Sequence, residues 1–311
     1  MRLFVYSALP EALRVQLRAE VPAEVTIIYS NDLPHEQQAA ECQRAEVIFG
    51  NPPPEWLSGS ALPHLRLWQL DSAGFDRYQG LEIAAPVANM GDYFAWPCAE
   101  TMVAGLLALY RALPELARLQ AERRWVGAPI RGRMGLLRGK RVVILGAGTI
   151  AQAVQQQLAG FGCPVQLLAR TDPQAQLHSR ADLLAALPQT DIVVNCLPGS
   201  ADKFFTATEF AVLPAGSIYA SVGRGNTTDE EALIEALRAG RLGGAVLDVT
   251  ATEPLPTDHA LWALPNVLLT QHTGGGQPAE AEGKVAQLLR NVAHLQAREP
   301  LENLVTLTRG Y

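Results

Sequence analysis

The sequence is poor in the residues from which disulfide frameworks and metal centres are built. It has 4 cysteines in 311 residues, none of them in a Cys-x-x-Cys pair and none with a histidine at metal-ligand spacing. We therefore expect reduced cysteines that behave as small buried hydrophobic residues, no metal site and a cytoplasmic location.

Long hydrophobic runs are missing as well. The longest run, Met102 to Tyr110, is about half as long as a bilayer-spanning helix requires and is followed by Arg111. The first residues, from Arg2 to Tyr6, are strand-like and lack the basic-then-apolar layout of a signal peptide. No association with a membrane is expected.

Lysine is scarce, because only 3 of the 25 positively charged residues are lysine and the other 22 are arginine. The net charge of −6 disfavours nucleic acids and membrane surfaces as partners, since both select for a basic face. A fixed positive charge in a binding site is therefore expected to come from arginine.

Apolar strand-like runs and helical segments alternate along the chain, whose length suggests two domains at about 150 residues each. Residues 2–97 are typical of a small parallel α/β unit, and residues 97–124 predict a long helix kinked at Pro114. Residues 139–272 predict five or six strand-helix units of a doubly wound parallel sheet. A last helix is predicted over 278–298, with a strand-like tail at 304–308.

A glycine-rich turn stands between the first strand and the first helix of the doubly wound region. It reads Gly146-Ala-Gly148-Thr149-Ile150-Ala151. In a dinucleotide fingerprint the first glycine makes the turn, the second lets the backbone approach the pyrophosphate, and the third position allows close helix packing. The strand before it and the helix after it are the context that the fingerprint needs.

The next strand ends in Arg170-Thr171, where an NAD-preferring site carries an acidic residue for the ribose hydroxyls. An arginine beside a hydroxyl would instead pair with a 2′-phosphate. This favours NADPH as cofactor, while Asp172 leaves NADH open if the turn is shifted.

Three further polar residues follow predicted strands, namely Arg224, Glu253 and His272. The loops after parallel strands collect at one edge of the sheet, where ligands of such folds bind. Together these residues offer a cation for a carboxylate, a group that exchanges protons near neutral pH and an acid that could raise the pKa of the histidine and orient it.

These segments resemble the D-isomer-specific 2-hydroxyacid dehydrogenase family, and the resemblance covers essentially the whole chain. It includes Leu70-Asp-Ser-Ala-Gly74, Ala99-Glu100-Thr101 and Asn195-Cys-Leu-Pro198-Gly-Ser200, where serine stands in place of the family's threonine. The resemblance implies an α/β protein in which a Rossmann domain, residues 98–276, is inserted into a smaller flavodoxin-like substrate domain formed by residues 1–97 and 277–311.

The resemblance also implies roles for the site residues. Arg224 would bind the carboxylate and carbonyl of a keto acid, His272 would be the acid/base, and Glu253 would pair with it and keep it protonated. Asp248 would contact the nicotinamide carboxamide. Substrate contacts would come from Ser72, Ala73, Gly74, Arg224 and His272, and cofactor contacts from Gly146, Gly148, Thr149, Ile150, Arg170, Thr171, Leu197, Pro198, Ser200, Val222, Gly223, Asp248 and Gly274.

Within the family, the marks most resemble the glyoxylate/hydroxypyruvate reductase branch. They are Arg170-Thr171, Asn51-Pro-Pro-Pro54 and Arg309-Gly-Tyr311. The expected activity is NADPH-dependent reduction of a small 2-keto acid to the D-2-hydroxy acid, in a homodimer. Two alternatives are a non-catalytic dinucleotide sensor or corepressor on the same fold, and an NAD-dependent dehydrogenase of a larger or phosphorylated D-2-hydroxy acid.

Overall fold

The structure is a computed structural model that describes residues 1–57 and 62–309. The chain divides into two units, one of Met1–Tyr93 with Gln277–Tyr311 and one of Phe94–Gly276. Two residues that resemble the reductase branch, Gly310 and Tyr311, lie outside the described residues.

The described strands and helices are numbered in chain order. The strands are β1 (Arg2–Val5), β2 (Thr26–Tyr29), β3 (Val47–Phe49), β4 (Leu67–Gln69), β5 (Val87–Ala88), β6 (Val142–Leu145), β7 (Val165–Leu168), β8 (Ile192–Asn195), β9 (Ser217–Ser221), β10 (Leu242–Leu247), β11 (Val267–Leu269) and β12 (Leu304–Val305). The helices are α1 (Glu11–Glu20), α2 (His35–Gln43), α3 (Pro54–Leu57), α4 (Ala95–Tyr110), α5 (Leu113–Ala121), α6 (Ala128–Arg131), α7 (Thr149–Ala159), α8 (Arg180–Ala186), α9 (Ala207–Val212), α10 (Glu230–Arg238) and α11 (Glu280–Ala297).

The first unit is built on a sheet with the order β12-β5-β4-β3-β1-β2. Strands β1 to β5 are parallel, and their order of 2-1-3-4-5 is that of a flavodoxin-like fold. The short β12 pairs antiparallel with β5, so the end of the chain completes a sheet that its beginning started. Helix α11 covers one face through Val285, Leu288 and Val292, which belong to the same apolar core as β1 and β3.

The second unit holds a parallel sheet with the order β11-β10-β9-β8-β6-β7. Leu177 forms an isolated parallel bridge with Leu168, the last residue of β7. It lies next to β7 at the edge of the sheet, where a further strand would pair. With that bridge the order becomes the Rossmann arrangement, in which ligands bind at the carboxyl ends of the strands. Two largely parallel sheets with helices between their strands confirm the α/β fold class predicted from the sequence.

The apolar segment predicted as one kinked helix is two helices. Helix α4 ends at Tyr110, and α5 begins at Leu113 after Ala112, whose φ of 53° is left-handed. Pro114 explains the break, because a proline lacks an amide donor and its ring clashes with the carbonyl four residues earlier, here that of Tyr110. Pro114 therefore lies in the first turn of a new helix, where proline is tolerated.

The cysteines are unpaired thiols in the described residues. Burial raises the pKa of Cys42 and of Cys98 to about 12 and also raises the pKa of Cys163 and Cys196. Within the same described ranges, none of the helices combines the length and apolarity that a membrane span requires.

Candidate active site

The turn after β6 has the backbone that a bound pyrophosphate needs. Gly146 has a φ of 105°, which favours glycine, and its amide donates to the carbonyl of Leu168 at 2.8 Å. Gly148 is the N-cap residue of α7 with no side-chain cap, and a Cβ placed on it would meet nothing within 4 Å. The space beside Gly148 is therefore open, and the amides at the start of a helix such as α7, which begins with Thr149 and Ile150, are groups that can bind an anion.

Ala151, at the third position of the fingerprint, is fully buried in the core between α7 and the sheet. The helix therefore starts close to the strand it follows, which is the function of a small residue at that position.

Arg170, Thr171 and Asp172, predicted from the sequence as candidates to contact the ribose of the cofactor, follow β7 directly. Arg170 and Thr171 are both exposed at the carboxyl end of the strand. Asp172 accepts a hydrogen bond from the amide of Gln174 at 2.8 Å, so one of its carboxylate oxygens already closes its own turn. These positions suit a 2′-phosphate held by an arginine and a hydroxyl.

The loop that carries Arg224 is confined by close backbone contacts on both sides. A Cβ on Gly223 would lie 2.3 Å from the carbonyl oxygen of Leu197, and one on Gly225 would lie 1.9 Å from that of Thr250. Only glycine fits at either position, so the loop is held between two neighbouring loops of the same sheet edge. Arg224 is half-buried, and its guanidinium donates to the carbonyl of Gly223 at 2.8 Å.

Asp248 organises the loop after β11. Its carboxylate is almost fully buried, and one oxygen accepts from the hydroxyl of Thr270 at 2.5 Å and from the amides of Thr273 at 3.1 Å and Gly274 at 3.0 Å. Its carbonyl accepts from the amide of His272 at 2.6 Å. The cofactor role predicted for Asp248 is therefore accompanied by a structural one, which sequence analysis did not anticipate.

His272 and Glu253, predicted as a pair, are in contact. The Nδ1 atom of His272 lies 2.7 Å from Oε2 of Glu253, and the other oxygen of Glu253 accepts from the amide of Thr250 at 3.0 Å. His272 is 51% exposed and thus accessible to a ligand. Gln271 and His272 both have left-handed φ values near the end of β11, 53° and 55°, which side chains other than glycine adopt at a cost. The hydrogen bonds to Asp248 hold this strained loop.

The Arg224 loop and the His272-Glu253 pair are connected through Thr250. Gly225 packs against the carbonyl of Thr250, and the amide of the same Thr250 donates to Glu253. Arg224, predicted to bind the substrate, and the His272–Glu253 pair are thus joined by one continuous set of contacts along the sheet edge.

The predicted substrate loop belongs to the first unit and has its own internal order. The carbonyl of Ser72 accepts from the amide of Met90 at 3.1 Å, that of Ala73 from the side chain of Asn89 at 2.6 Å, and that of Gly74 from the hydroxyl of Ser72 at 2.7 Å. With three successive carbonyls engaged by donors of the protein, the amides are the backbone groups that this loop can offer to a carboxylate.

Comparison with known proteins gives consistent matches. A family model described as D-isomer specific 2-hydroxyacid dehydrogenase, NAD binding domain, matches residues 103–274. The chain is 29% identical over 290 residues to glyoxylate/hydroxypyruvate reductase A of Klebsiella pneumoniae (strain 342), with 89% of this chain and 91% of the relative aligned. It is 31% identical over 219 residues to glyoxylate/hydroxypyruvate reductase A of Salmonella heidelberg (strain SL476), with 68% of each chain aligned.

Among solved structures, the chain resembles a D-isomer specific 2-hydroxyacid dehydrogenase from Xanthobacter autotrophicus Py2 in complex with NADPH and MES. The TM-score is 0.80 at 28% identity, and the match covers 100% of this chain and 99% of that chain. The same arrangement of strands and helices therefore occurs in a protein that binds a nicotinamide dinucleotide.

Proposed function

Because the chain belongs to the D-isomer specific 2-hydroxyacid dehydrogenase family, we propose that it uses NADPH to reduce a small 2-keto acid of the glyoxylate or hydroxypyruvate type to the D-2-hydroxy acid. It is an NAD(P)-dependent oxidoreductase of the 2-hydroxyacid reductase kind, and its relatives confirm the branch that the sequence resembles.

The contact between His272 and Glu253 carries the proposal. With Nδ1 donating to Glu253 at 2.7 Å, the ring is held in one orientation, and Nε2 is the atom left to give a proton to the carbonyl oxygen of the substrate. When bound, the nicotinamide supplies the hydride to the carbonyl carbon. The proton from His272 completes the alcohol, so that one hydride and one proton are added.

Arg224 has the chemistry to bind the substrate carboxylate and to stabilise the charge that develops on its carbonyl oxygen. Guanidinium groups match carboxylates in a planar, two-pronged geometry. Stabilisation of developing charge by preorganised donors is among the larger contributions to catalysis, about 3 kcal/mol for a single donor in comparable sites. The confined loop between Gly223 and Gly225 provides that preorganisation.

The structure fits NADPH at the turn around Gly148 and at Arg170, and the Xanthobacter autotrophicus protein was solved with NADPH. The Gly148 amide region would hold the pyrophosphate, and Arg170 with Thr171 would hold the 2′-phosphate. All the cofactor contacts stay predictions, namely Gly146, Gly148, Thr149, Ile150, Arg170, Thr171, Leu197, Pro198, Ser200, Val222, Gly223, Asp248 and Gly274. The substrate contacts of Ser72, Ala73 and Gly74, the homodimer and the cytoplasmic location also stay predictions.

The test is a spectrophotometric assay with glyoxylate, hydroxypyruvate, pyruvate and phenylpyruvate, each with NADPH and with NADH. We expect oxidation of NADPH with glyoxylate or hydroxypyruvate. A protein that binds NADPH but reduces none of the four would instead favour the sensor, and activity only with NADH would overturn the assignment of Arg170.

The role of His272 is tested with His272→Ala and Glu253→Gln. We expect His272→Ala to lower kcat by about 100-fold or more, because a positioned acid typically contributes that much, while the Kd for NADPH is unchanged. Glu253→Gln should lower kcat by about tenfold, since a neutral amide orients the ring but does not stabilise its cation. His35→Ala, which removes an exposed histidine of α2, is the control. An unchanged kcat with a raised KM in His272→Ala would contradict the assignment.

A further inference from the structure

A cluster of buried polar side chains lies under the loop that carries Arg224, and the mechanism above uses none of them. Of its four members, three are fully buried and the fourth is 7% exposed. Burying polar groups is costly unless they are hydrogen-bonded to one another. We call this cluster the Asn195 network, and it consists of Asn195, Tyr219, Thr227 and Thr228.

The network branches at Asn195, and the branch through Thr227 ends at the backbone of Arg224. The side-chain amide of Asn195 donates to the hydroxyl of Tyr219 at 2.9 Å and to that of Thr227 at 2.8 Å. The hydroxyls of Tyr219 and Thr228 share a further hydrogen bond at 2.6 Å, in which either oxygen can be the donor. Thr227 in turn donates to the backbone carbonyl of Arg224 at 2.6 Å.

Tyr219 is fixed as a neutral member of the network. Burial raises the pKa of Tyr219 to about 12, so its hydroxyl keeps its proton at any pH at which the protein would be assayed. Its ring packs against Phe205 and Phe210, with ring centres 5.2 and 5.3 Å away. A network that is satisfied in this way is rigid, because any shift of one member leaves another buried group without a partner.

Asn195 also holds a second loop. Its side-chain oxygen accepts from the amide of Leu197 at 3.0 Å, and Leu197 is the residue against which Gly223 packs. One side chain therefore sets the spacing between the loop predicted to contact the cofactor and the loop that presents Arg224.

We propose that the Asn195 network positions Arg224. Thr227 is the residue through which it does so, because its hydroxyl bonds to the backbone carbonyl of the arginine. The inference rests on the proposed function, in which Arg224 binds the keto acid. The network holds the carbonyl of Arg224 from within the domain, while Gly223 and Gly225 confine the loop on its two sides.

The direct test replaces Thr227 by valine, which keeps the shape and removes the hydroxyl. We expect Thr227→Val to raise the KM for glyoxylate about fivefold, as expected for the loss of one buried hydrogen bond. It should raise the Kd of the unreactive analogue oxamate, measured on the NADPH-loaded enzyme, by the same factor, and leave the Kd for NADPH unchanged. Thr227→Ser should restore both values. Ser217→Ala is the matched control, since it removes a buried hydroxyl at the other end of β9.

A double-mutant cycle with Arg224→Lys separates positioning from general destabilisation. If Thr227 acts through the arginine, Thr227→Val should change the glyoxylate KM less than about twofold in the Arg224→Lys background, because coupled residues are not additive. Additive effects, or an equal effect of Ser217→Ala, would overturn the inference while leaving the proposed function intact. A wild-type protein that reduces no keto acid would overturn both.

Discussion

At the scale of single residues, the proposed site takes both of its fixed positive charges from arginine. Arg170 follows β7 and Arg224 follows β9, and each is in a position suited to an oxygen anion. Arginine has a planar fork of donors that matches phosphate and carboxylate, and it stays charged at every pH of interest. The small number of lysines in the chain leaves arginine as the cation at both positions.

Arg170→Gln should change the cofactor preference. We expect the Kd for NADPH to rise about tenfold or more, because a hydrogen bond to a charged phosphate is lost, and the Kd for NADH to stay the same. Both are measured by the quenching of protein fluorescence or by the fluorescence of the bound nicotinamide. Arg238→Gln, at an exposed arginine in the last turn of α10, is the control. An equal loss for the two cofactors would show that Arg170 does not read the 2′-phosphate.

At the scale of elements, the join between α4 and α5 shows where pattern and structure differ. The apolar periodicity continues through Arg111 and Ala112, so the sequence predicts one helix. The chain instead turns at Ala112 in a left-handed conformation, which an alanine adopts at a cost of about 1 kcal/mol. The apolar periodicity indicates which side chains are buried. Two successive helices that pack on the same core can continue one periodicity, so the pattern does not show where the first helix ends.

Ala112→Gly should stabilise the protein, although glycine normally weakens helical segments. Glycine adopts a φ of 53° without steric cost, so we expect the free energy of unfolding in urea to rise by about 0.5–1 kcal/mol. The control is Ala104→Gly in the exposed middle of α4, which should lower it by about 1 kcal/mol. A loss of stability in both variants would contradict the explanation of the turn.

At the scale of the whole molecule, the end of the chain returns to the unit in which it began. Asn291 of α11 is fully buried; it donates to the side chain of Gln69 at 2.7 Å and accepts from the amide of Glu302 at 2.7 Å. Gln69 in turn donates to the carbonyl of Asn89, next to the predicted substrate loop. The C-terminal segment is therefore part of what shapes that loop.

The second unit also exposes large apolar side chains between α4 and β6. Leu113 is 50% exposed, Trp125 98% and Leu136 63%. A protein surface binds a partner through such side chains only where they form a contiguous patch. They are compatible with the homodimer expected from the family resemblance, which stays a prediction.

The stability of the molecule should fall at high pH because its thiols are buried. Cys42 and Cys98 have a pKa of about 12 in the folded chain and an ordinary value of 9.0 when unfolded. Between these values the unfolded chain releases protons that the folded chain keeps, so stability is fully present below about pH 9 and is lost as the pH rises toward 12. We expect a lower free energy of unfolding in urea at about pH 10.5 than at about pH 8.

The double variant Cys42→Ala and Cys98→Ala isolates the contribution of the thiols to this pH dependence. The loss of two buried side chains lowers the free energy of unfolding of this variant at both pH values. The decrease in that free energy between the two pH values should nevertheless be smaller than in the wild type. An identical decrease would show that other groups account for it.

The sequence by itself determined the strands of the second unit and the identity of the polar residues that follow them. Short continuous apolar runs that alternate with helical segments are typical of strands in a sheet covered on both faces, and parallel strands bring their carboxyl ends to one edge. Residues as distant as Gly146, Arg224 and His272 could therefore be assigned to one edge before any coordinates were known.

Only the tertiary structure decided how those residues are held. The confinement of Gly225 by Thr250, the hold of Asp248 on the His272 loop and the order of the Asn195 network depend on contacts between loops that are far apart in sequence. Such contacts leave no periodic pattern, because a buried hydroxyl finds its partner through the packing of several strands at once. At Pro114 the sequence already predicted a kink, and the structure added that α4 ends at Tyr110 and that the chain turns at Ala112 in a left-handed conformation.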